Sequence, residues 1–373
     1  MGGRPSLDVY ALVAGRAATV GLCRRGRRSA AGTCRLVAAD DGWFAVNTAR
    51  PEDLDALGAA LGRQGLERPW DELAAWAAAR PASEVVGTLQ LLGVPAAVLP
   101  QRTRPPATDQ EWDGARPTPF PFRSYQIGRE APALPRTITV VNLASLWAGP
   151  LCGYLLAACG ARVITVESRA RPDGLRSGAP SLFTFLHQHD EPRTLELPSA
   201  RGVEELRKLL RTADVVIEGS RPRALAQMGI DVEGAVSERP GLTWVSITAH
   251  GRRGDAANHV GFGDDAAVGG GLVGWDDNGE PVFLGDALAD PLTGLWAAGA
   301  AAASVIGGGG RLVEVAMSAV AAQVAAGSGP SWEDHTLVAD GRGGWSVTCG
   351  SRREPVSMPS PPPAPVSSQD GRR

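Results

Sequence analysis

The chain of 373 residues has few of the patterns that announce metal, disulfide or nucleotide chemistry. Its five cysteines, Cys23, Cys34, Cys152, Cys159 and Cys349, form no CxxC pair and are odd in number. That argues against a disulfide framework or a zinc site and suits a reducing cytoplasm. The five histidines make no HExxH, and HQH at 187–189 lacks a third ligand, so no metal is expected. There is no GxGxxG, GxxxxGK[ST] or GxSxG, no kinase motif set and no glycosidase carboxylate pair. A formal net charge of −3 offers no field for nucleic acid or an anionic membrane, and the short basic run CRRGRR (23–28) does not change that. The N-terminus MGGRPSLDVY lacks an apolar core, and the Ala-rich runs near 295–306 and 314–327 are too short or too interrupted by glycine to span a bilayer. The expected setting is the cytoplasm, with neither nucleic acid nor membrane as a partner.

What is present is an ordinary globular composition, 43% hydrophobic and 21% charged, over a length that suits two or three domains. Residues 1–103 read as a small α/β module. DGWFAVNTA (41–49) predicts a strand, and PEDLDALGAALG (51–62), WDELAAWAAA (70–79) and SEVVGTLQLLG (83–93) predict helices by their apolar spacing. Residues 104–135 are so rich in proline that a semi-rigid linker is expected. From 136 the rhythm turns β-α-β-α: strands at TITVVNLA (137–144), RVITVES (162–168), DVVIEGS (214–220) and LTWVSITAH (242–250), with helical segments between them. Apolar strands separated by helices predict an open, Rossmann-like parallel sheet covered on both faces, spanning 136–325. Residues 326–373 predict a short extension and, from about 352, a Pro/Ser-rich disordered tail.

In such a sheet ligands gather beyond the carboxyl ends of the strands. The turn SLWAGPLCG (145–153) lies there, and its small residues and helix start suit an anion. Glu167 ends the second strand and reads equally as a partner for a ribose hydroxyl or as a solvated strand end. Arg221 and Arg223 follow the third strand, as phosphate ligands or as a solvated turn. The segment FLGDALADPLTGLWAAGAAAASVIGGGG (283–310) carries Asp286 and Asp290 ahead of an Ala-rich helix. Local sequence favours Asp290 as a helix cap, since Asp, an adjacent Pro and terminal glycines are helix punctuation.

Taken in order, VVNLASLWAGPLCGYLLAACGARVITVES, RPDGLR, ADVVIEGSRPRALAQMGID, GLTWVSITAHG, GFGDDAAVGGGL and GDALADPLTG resemble the family III CoA-transferases, a group that includes formyl-CoA and carnitine CoA-transferases and α-methylacyl-CoA racemase. The resemblance runs over about 136–320. It implies a Rossmann-like α/β domain with a smaller domain, in homodimers whose chains interlock like two rings. It implies Asp290 as the nucleophile, with Asp286 as the alternative, acting on an acyl-CoA with a carboxylic acid as acceptor. CoA is then a substrate, and no resident cofactor is implied. By position the resemblance places CoA near Leu146, Trp147 and Ala148, near Glu167, Ser168 and Arg169, near Arg193, and along Gly219, Ser220, Arg221, Arg223 and Met228.

The chain departs from the family in several places. Gly219-Ser220 stands where Asn-Phe is frequent, Ser168 where a basic residue is frequent, and HDEPRT (189–194) keeps only Arg193 of a more basic motif. The racemase branch uses a GHD histidine as a second acid/base, and GFGDDAAVGGGL (261–272) has none. The module at 1–103 resembles material that other members carry after the catalytic segment, as in a permuted chain or the remnant of a duplicated, fused arrangement. Beside the transferase, the sequence leaves open a CoA-ester-binding protein without transfer activity and a 2-methylacyl-CoA racemase or epimerase.

Overall fold

The structure, a computed structural model, describes residues 9–63, 65–101, 120–131, 133, 137–327, 335–339 and 345–355. Helix α1 (Val9–Val20) precedes a three-stranded antiparallel sheet of β1 (Cys34–Ala38), β2 (Trp43–Asn47) and, after helices α2 (Pro51–Ala60), α3 (Pro69–Ala77) and α4 (Ala82–Leu91), β3 (Ala96–Val98). Strand alternation explains how this sheet is used. Phe44 and Val46 of β2 point into the core made with Leu57, Leu73, Val85 and Leu89 of the three helices. Ala45 turns the other way and, with Cys34 and Leu36 of β1, packs on Val268 and Phe283. The module is therefore docked through its second face onto the remainder of the chain.

Strand β4 (Phe122–Gln126) comes next, followed by β5 (Thr139–Asn142), α5 (Ala148–Ala158), β6 (Arg162–Ser168), α6 (Leu175–Gly178), α7 (Pro180–Leu186), β7 (Asp190–Leu195) and α8 (Ala200–Leu210). The chain continues through β8 (Val215–Glu218), α9 (Pro222–Gln227), α10 (Val232–Glu238), β9 (Thr243–Thr248), a 3-10 turn at Asp255–Asn258, α11 (Gly263–Gly269), a short ribbon of β10 (Gly274–Trp275) and β11 (Pro281–Val282), α12 (Ala289–Ile306), β12 (Arg311–Ala316) and α13 (Met317–Gly327). A last antiparallel sheet joins β13 (His335–Ala339), β14 (Trp345–Cys349) and β15 (Arg352–Pro355).

The main sheet has seven strands in the order β4-β12-β9-β8-β5-β6-β7, all parallel except β4. The order reverses between β5 and β8, which creates a crevice at their carboxyl ends. One face is covered by α5, α7, α12 and α13, with Leu151, Leu186, Ala297 and Val320 in the core. The other face is covered by α8, α9 and α10, with Leu206, Leu225, Val236 and the fully buried Trp244. In α8, Ser199 caps the helix by accepting the Gly202 N–H at 3.1 Å.

Two expectations are corrected here. The Pro-rich stretch read as a linker over 104–135 ends in β4, which pairs antiparallel with β12, Gln126 against Arg311 and Phe122 against Val315. Pro121 precedes the strand, and an edge strand tolerates the N–H that proline lacks. The tail expected to be disordered from about 352 begins instead with β15, where Arg352 pairs with Cys349. Residues 356–373 lie outside the described residues.

Candidate active site

Asp290 does not cap its own helix. α12 begins at Ala289 after Leu288, and no side-chain cap is made there. The Asp290 carboxylate instead accepts the backbone N–H of Gly263, the first residue of α11. This approach needs glycine at 263: a Cβ there would stand 2.2 Å from Asp290 Oδ2 and 2.5 Å from the Ala287 carbonyl. A second close approach fixes the helix itself. A Cβ at Gly294 would meet the Ala148 carbonyl at 2.8 Å, so α12 presses against the start of α5 and brings Asp290 to the crevice.

Among the described residues two non-glycine residues adopt left-handed backbone, and both border this place: Ala287 at φ 46° and Leu146 at φ 65°. Such geometry costs on the order of 1–2 kcal/mol each and is held by its surroundings. The Ala287 N–H donates to Asp264 Oδ1 at 2.9 Å. The Leu146 N–H donates to Asp173 Oδ2 at 2.9 Å.

The carboxylates gather where α11 and α12 start. Asp264 and Asp265 on α11 and Asp286 before α12 are buried. Burial pushes Asp264 up to about 6, opposed by the Ala287 N–H, with the charge of Asp286 adding to the rise. Burial pushes Asp265 up to about 7, although it accepts the Phe262 N–H at 3.0 Å and Asn47 Nδ2 at 3.2 Å. Burial likewise pushes Asp290 up to about 7. The Arg16 guanidinium opposes this, Asp264 and Asp286 reinforce it, and the Gly263 N–H opposes it. Asp286 differs from Asp290 because both of its oxygens are taken: Arg16 Nε donates to Oδ2 at 2.6 Å and Arg16 Nη2 to Oδ1 at 2.5 Å. Of the two aspartates singled out in the sequence, Asp290 is the less encumbered.

The N-terminal module thus reaches the site with Asn47 and Ser29, the latter hydrogen-bonded to Asp264, and the helix ahead of it supplies Arg16. Two further buried groups stand nearby. His250 is pushed down to about 4 by burial, and its Nε2 has no partner among the described residues. Glu218, at the carboxyl end of β8, is pushed up to about 7 by burial while accepting the Ser246 hydroxyl at 2.5 Å and the Ser220 N–H at 2.8 Å. None of Arg16, Asn47, Asp264, Asp265, Glu218 or His250 was singled out by sequence reasoning. The signal available for two of them was GDDAAV, where two consecutive aspartates lead directly into an apolar run.

The residues placed near CoA by resemblance lie along the carboxyl ends of β5, β6 and β8, with Arg193 the outlier in the edge strand β7, opposite Val166. Leu146, Trp147 and Ala148 open α5; the Trp147 ring is buried, with the Arg16 guanidinium 5.4 Å from its centroid. Glu167 is neither free nor simply solvated. It holds Arg176 through two contacts of 2.9 and 3.0 Å and accepts the Asp173 N–H at 2.5 Å. It thereby braces the loop that holds Leu146. Ser168 donates to the Leu197 carbonyl at 3.2 Å, and Arg169 lies 3.9 Å from Glu196. Gly219 and Ser220 lead into α9, which Arg221 precedes without a side-chain cap and Met228 ends. Arg221 is part-buried and held below its usual value by that burial and by the neighbouring cations Arg223, Arg50 and Arg171. Among the described residues no group of three or more His, Cys, Asp or Glu is arranged to hold a metal ion, and no helix is long and apolar enough to cross a membrane.

The fold and the site define a Rossmann-type α/β protein with a cluster of buried carboxylates at two helix starts and a cationic rim at the sheet's carboxyl end. The chain belongs to CoA-transferase family III, whose model matches residues 136–345, more than half of it. It is 32% identical over 211 residues to a succinate–glutarate CoA-transferase of Agrobacterium fabrum, covering 51% of this chain and 52% of that protein. It is 29% identical over 171 residues to a succinyl-CoA–D-citramalate CoA-transferase of Chloroflexus aurantiacus, covering 43% and 42%. A crystal structure of a hypothetical protein from Mycobacterium tuberculosis aligns with TM-score 0.50 at 27% identity, over 58% of this chain and 65% of that one. The chain spans about half the length of the curated relatives it matches.

Proposed function

We propose that this protein moves CoA between an acyl-CoA thioester and a carboxylic acid, with Asp290 as the nucleophile. The observation that carries the reading is the state of Asp290: it is spared from capping its helix, set on the Gly263 N–H, and surrounded by groups that reserve it for chemistry. An Asp290 carboxylate oxygen attacks the thioester carbonyl carbon, the C–S bond breaks, and the thiolate leaves with its electron pair. The product is an aspartyl–acyl anhydride. The thiolate then attacks the aspartyl carbonyl, releases the donor acid as its carboxylate and leaves an Asp290–CoA thioester. An acceptor carboxylate repeats the sequence in reverse and restores Asp290. No proton is gained or lost overall, and no resident cofactor is needed.

A carboxylate is a weak nucleophile, so desolvation and a fixed approach supply much of the rate. Since Asp290 is raised to about 7 and must be ionised to attack, turnover should climb as pH rises through that value. The cationic set Arg171, Arg221 and Arg223 suits the CoA phosphates, and Leu146, Trp147, Ala148, Glu167, Ser168, Arg169, Arg193, Gly219, Ser220 and Met228 frame the route from there to Asp290. Short dicarboxylic acids are the first acceptors to try, because the relatives' names include glutarate and citramalate. The working unit in this reading is a cytoplasmic homodimer.

The test is a panel of acyl-CoA donors and carboxylic acids in deuterated water, followed by mass spectrometry. A new acceptor–CoA thioester, with no deuterium at the α-carbon, is the expected result. Deuterium incorporation without a new thioester would replace this reading with a racemase, and CoA binding without either product would replace it with a binding protein.

A further inference from the structure

Arg16 and Asp286 are 270 residues apart in sequence, yet Arg16 acts on Asp286, Asp290 and Asp264 together. Its guanidinium makes the two-point contact with Asp286 described above and lies over the Trp147 ring. Its side chain is 18% exposed, and that of Asp286 is 2% exposed. The groups facing Asp290 come from three elements. α11 supplies Asp264 and the Gly263 N–H, the turn before α12 supplies Asp286, and α1 supplies Arg16. Three carboxylates that share a poorly solvated space with a single guanidinium cannot all ionise cheaply.

We propose that Arg16 is a positioning residue for the Asp290 chemistry: by clamping Asp286 through both oxygens and facing Asp290 at the same time, it decides which of the clustered carboxylates is free to act as nucleophile. This rests on the transferase reading of Asp290. The division of labour follows from geometry. Asp286 takes the directional contacts of Arg16 and stays fixed as its counter-ion. Asp290 takes only the field of the same guanidinium, so it is eased toward ionisation without being tied up by a hydrogen bond. Helix α1 therefore supplies this charge from outside the family-matched region, which starts at 136.

Removing either member of the pair should move the acid limb of the pH–rate profile, and the two removals should move it in opposite directions. In Arg16→Gln, Asp290 faces Asp264 and Asp286 without a compensating cation, and the limb should rise by about one pH unit. In Asp286→Asn, a like charge is gone and Arg16 is left to Asp290, so the limb should fall. Arg16→Lys restores a charge without the two-point fork. It should return the limb toward the wild-type position while kcat stays several-fold low. The experiment is kcat/KM against pH for the full-length wild type and the three variants, with the protonated-carboxyl infrared band titrated on the same samples. The Asp290→Asn spectrum identifies the Asp290 contribution, and circular dichroism verifies the fold.

Opposite shifts for Arg16→Gln and Asp286→Asn in both readouts are the expected result. Equal activity losses at every pH with an unmoved carboxyl titration would overturn the proposal and leave Arg16 as a structural contact. If the wild type shows no transfer with any donor, the transferase reading fails by itself, and the infrared titration still decides whether Arg16 controls Asp290. Should Arg16→Gln not fold, the Asp286→Asn and Arg16→Lys arms carry the same decision.

Discussion

Where α11 and α12 begin, Asp264, Asp286 and Asp290 share the Arg16 guanidinium, with Asp265 beside Asp264, and all but Asp290 of these four are buried. Where β6 and β8 end, Arg171 and Arg223 stand exposed beside a part-buried Arg221. Both places lie along the same crevice, and they differ in sign, in burial and in the physics that governs them. In the acid cluster water is largely gone, so each charge strongly affects its neighbours and small changes alter protonation. On the basic rim water screens the charges, so each arginine contributes modestly and mainly through association. The difference separates a place suited to making and breaking bonds from one suited to holding an anion.

The contrast can be broken by removing one group at a time. Asp290→Ala should lower kcat by about a thousand-fold or more while the KM for the CoA ester changes little, as steady-state kinetics would read. Retained turnover would move the chemistry elsewhere. Arg221→Ala together with Arg223→Ala should do the converse, raising KM about ten-fold with kcat nearly intact. The loss should shrink at high salt, which a ladder of ionic strengths would reveal.

Stability sharpens the same comparison. Asp264, Asp265, Asp290 and Glu218 are all raised in the folded protein. Between the ordinary carboxylate range and about pH 7 the native state binds more protons than the unfolded chain, so these groups make stability fall as pH rises through that window. Asp265→Asn removes one such group and retains the contact from Phe262. It should leave stability near wild type at pH 4 and raise it by about 2 kcal/mol at pH 8, measured by denaturant melts at both values. A gain equal at both pH values would contradict the assigned protonation. The smallest effect belongs to Arg169→Ala. Its contact with Glu196 is 3.9 Å long and both side chains are exposed, so the change in unfolding free energy, read from denaturant melts, should be under about 0.5 kcal/mol.

Much of the main sheet was legible because its strands are apolar and β-branched. VVIE in β8 is buried at all four positions, and TWVSIT in β9 at five of six. Strand β7, Asp190–Leu195, was not legible, because five of its six residues are polar or proline and it runs along the sheet edge with only Leu195 buried. β4 was obscured by the prolines beside it, and α11 by its length of seven residues, too short to display a helical period. The ADPLTG segment draws attention to Asp290, but the surroundings of that residue were not legible. The cap expected from local sequence was displaced by a tertiary contact with Gly263, and the counter-charge came from Arg16, far away in the chain. Sequence patterns report the path of the backbone over a few turns. The electrostatics of a buried cluster depends on which distant segments meet, and no local period encodes that.

In the proposed reaction Asp290 becomes covalently bonded during turnover. The most direct measurement is intact-protein mass spectrometry after incubation with a succinyl-CoA-type donor and trapping with hydroxylamine or borohydride, on wild type and Asp290→Asn, with the modified residue mapped by peptide sequencing. A trapped adduct on Asp290 in the wild type and none in the variant is the expected result. An adduct on another residue, or transfer that persists undiminished in Asp290→Asn, would contradict it.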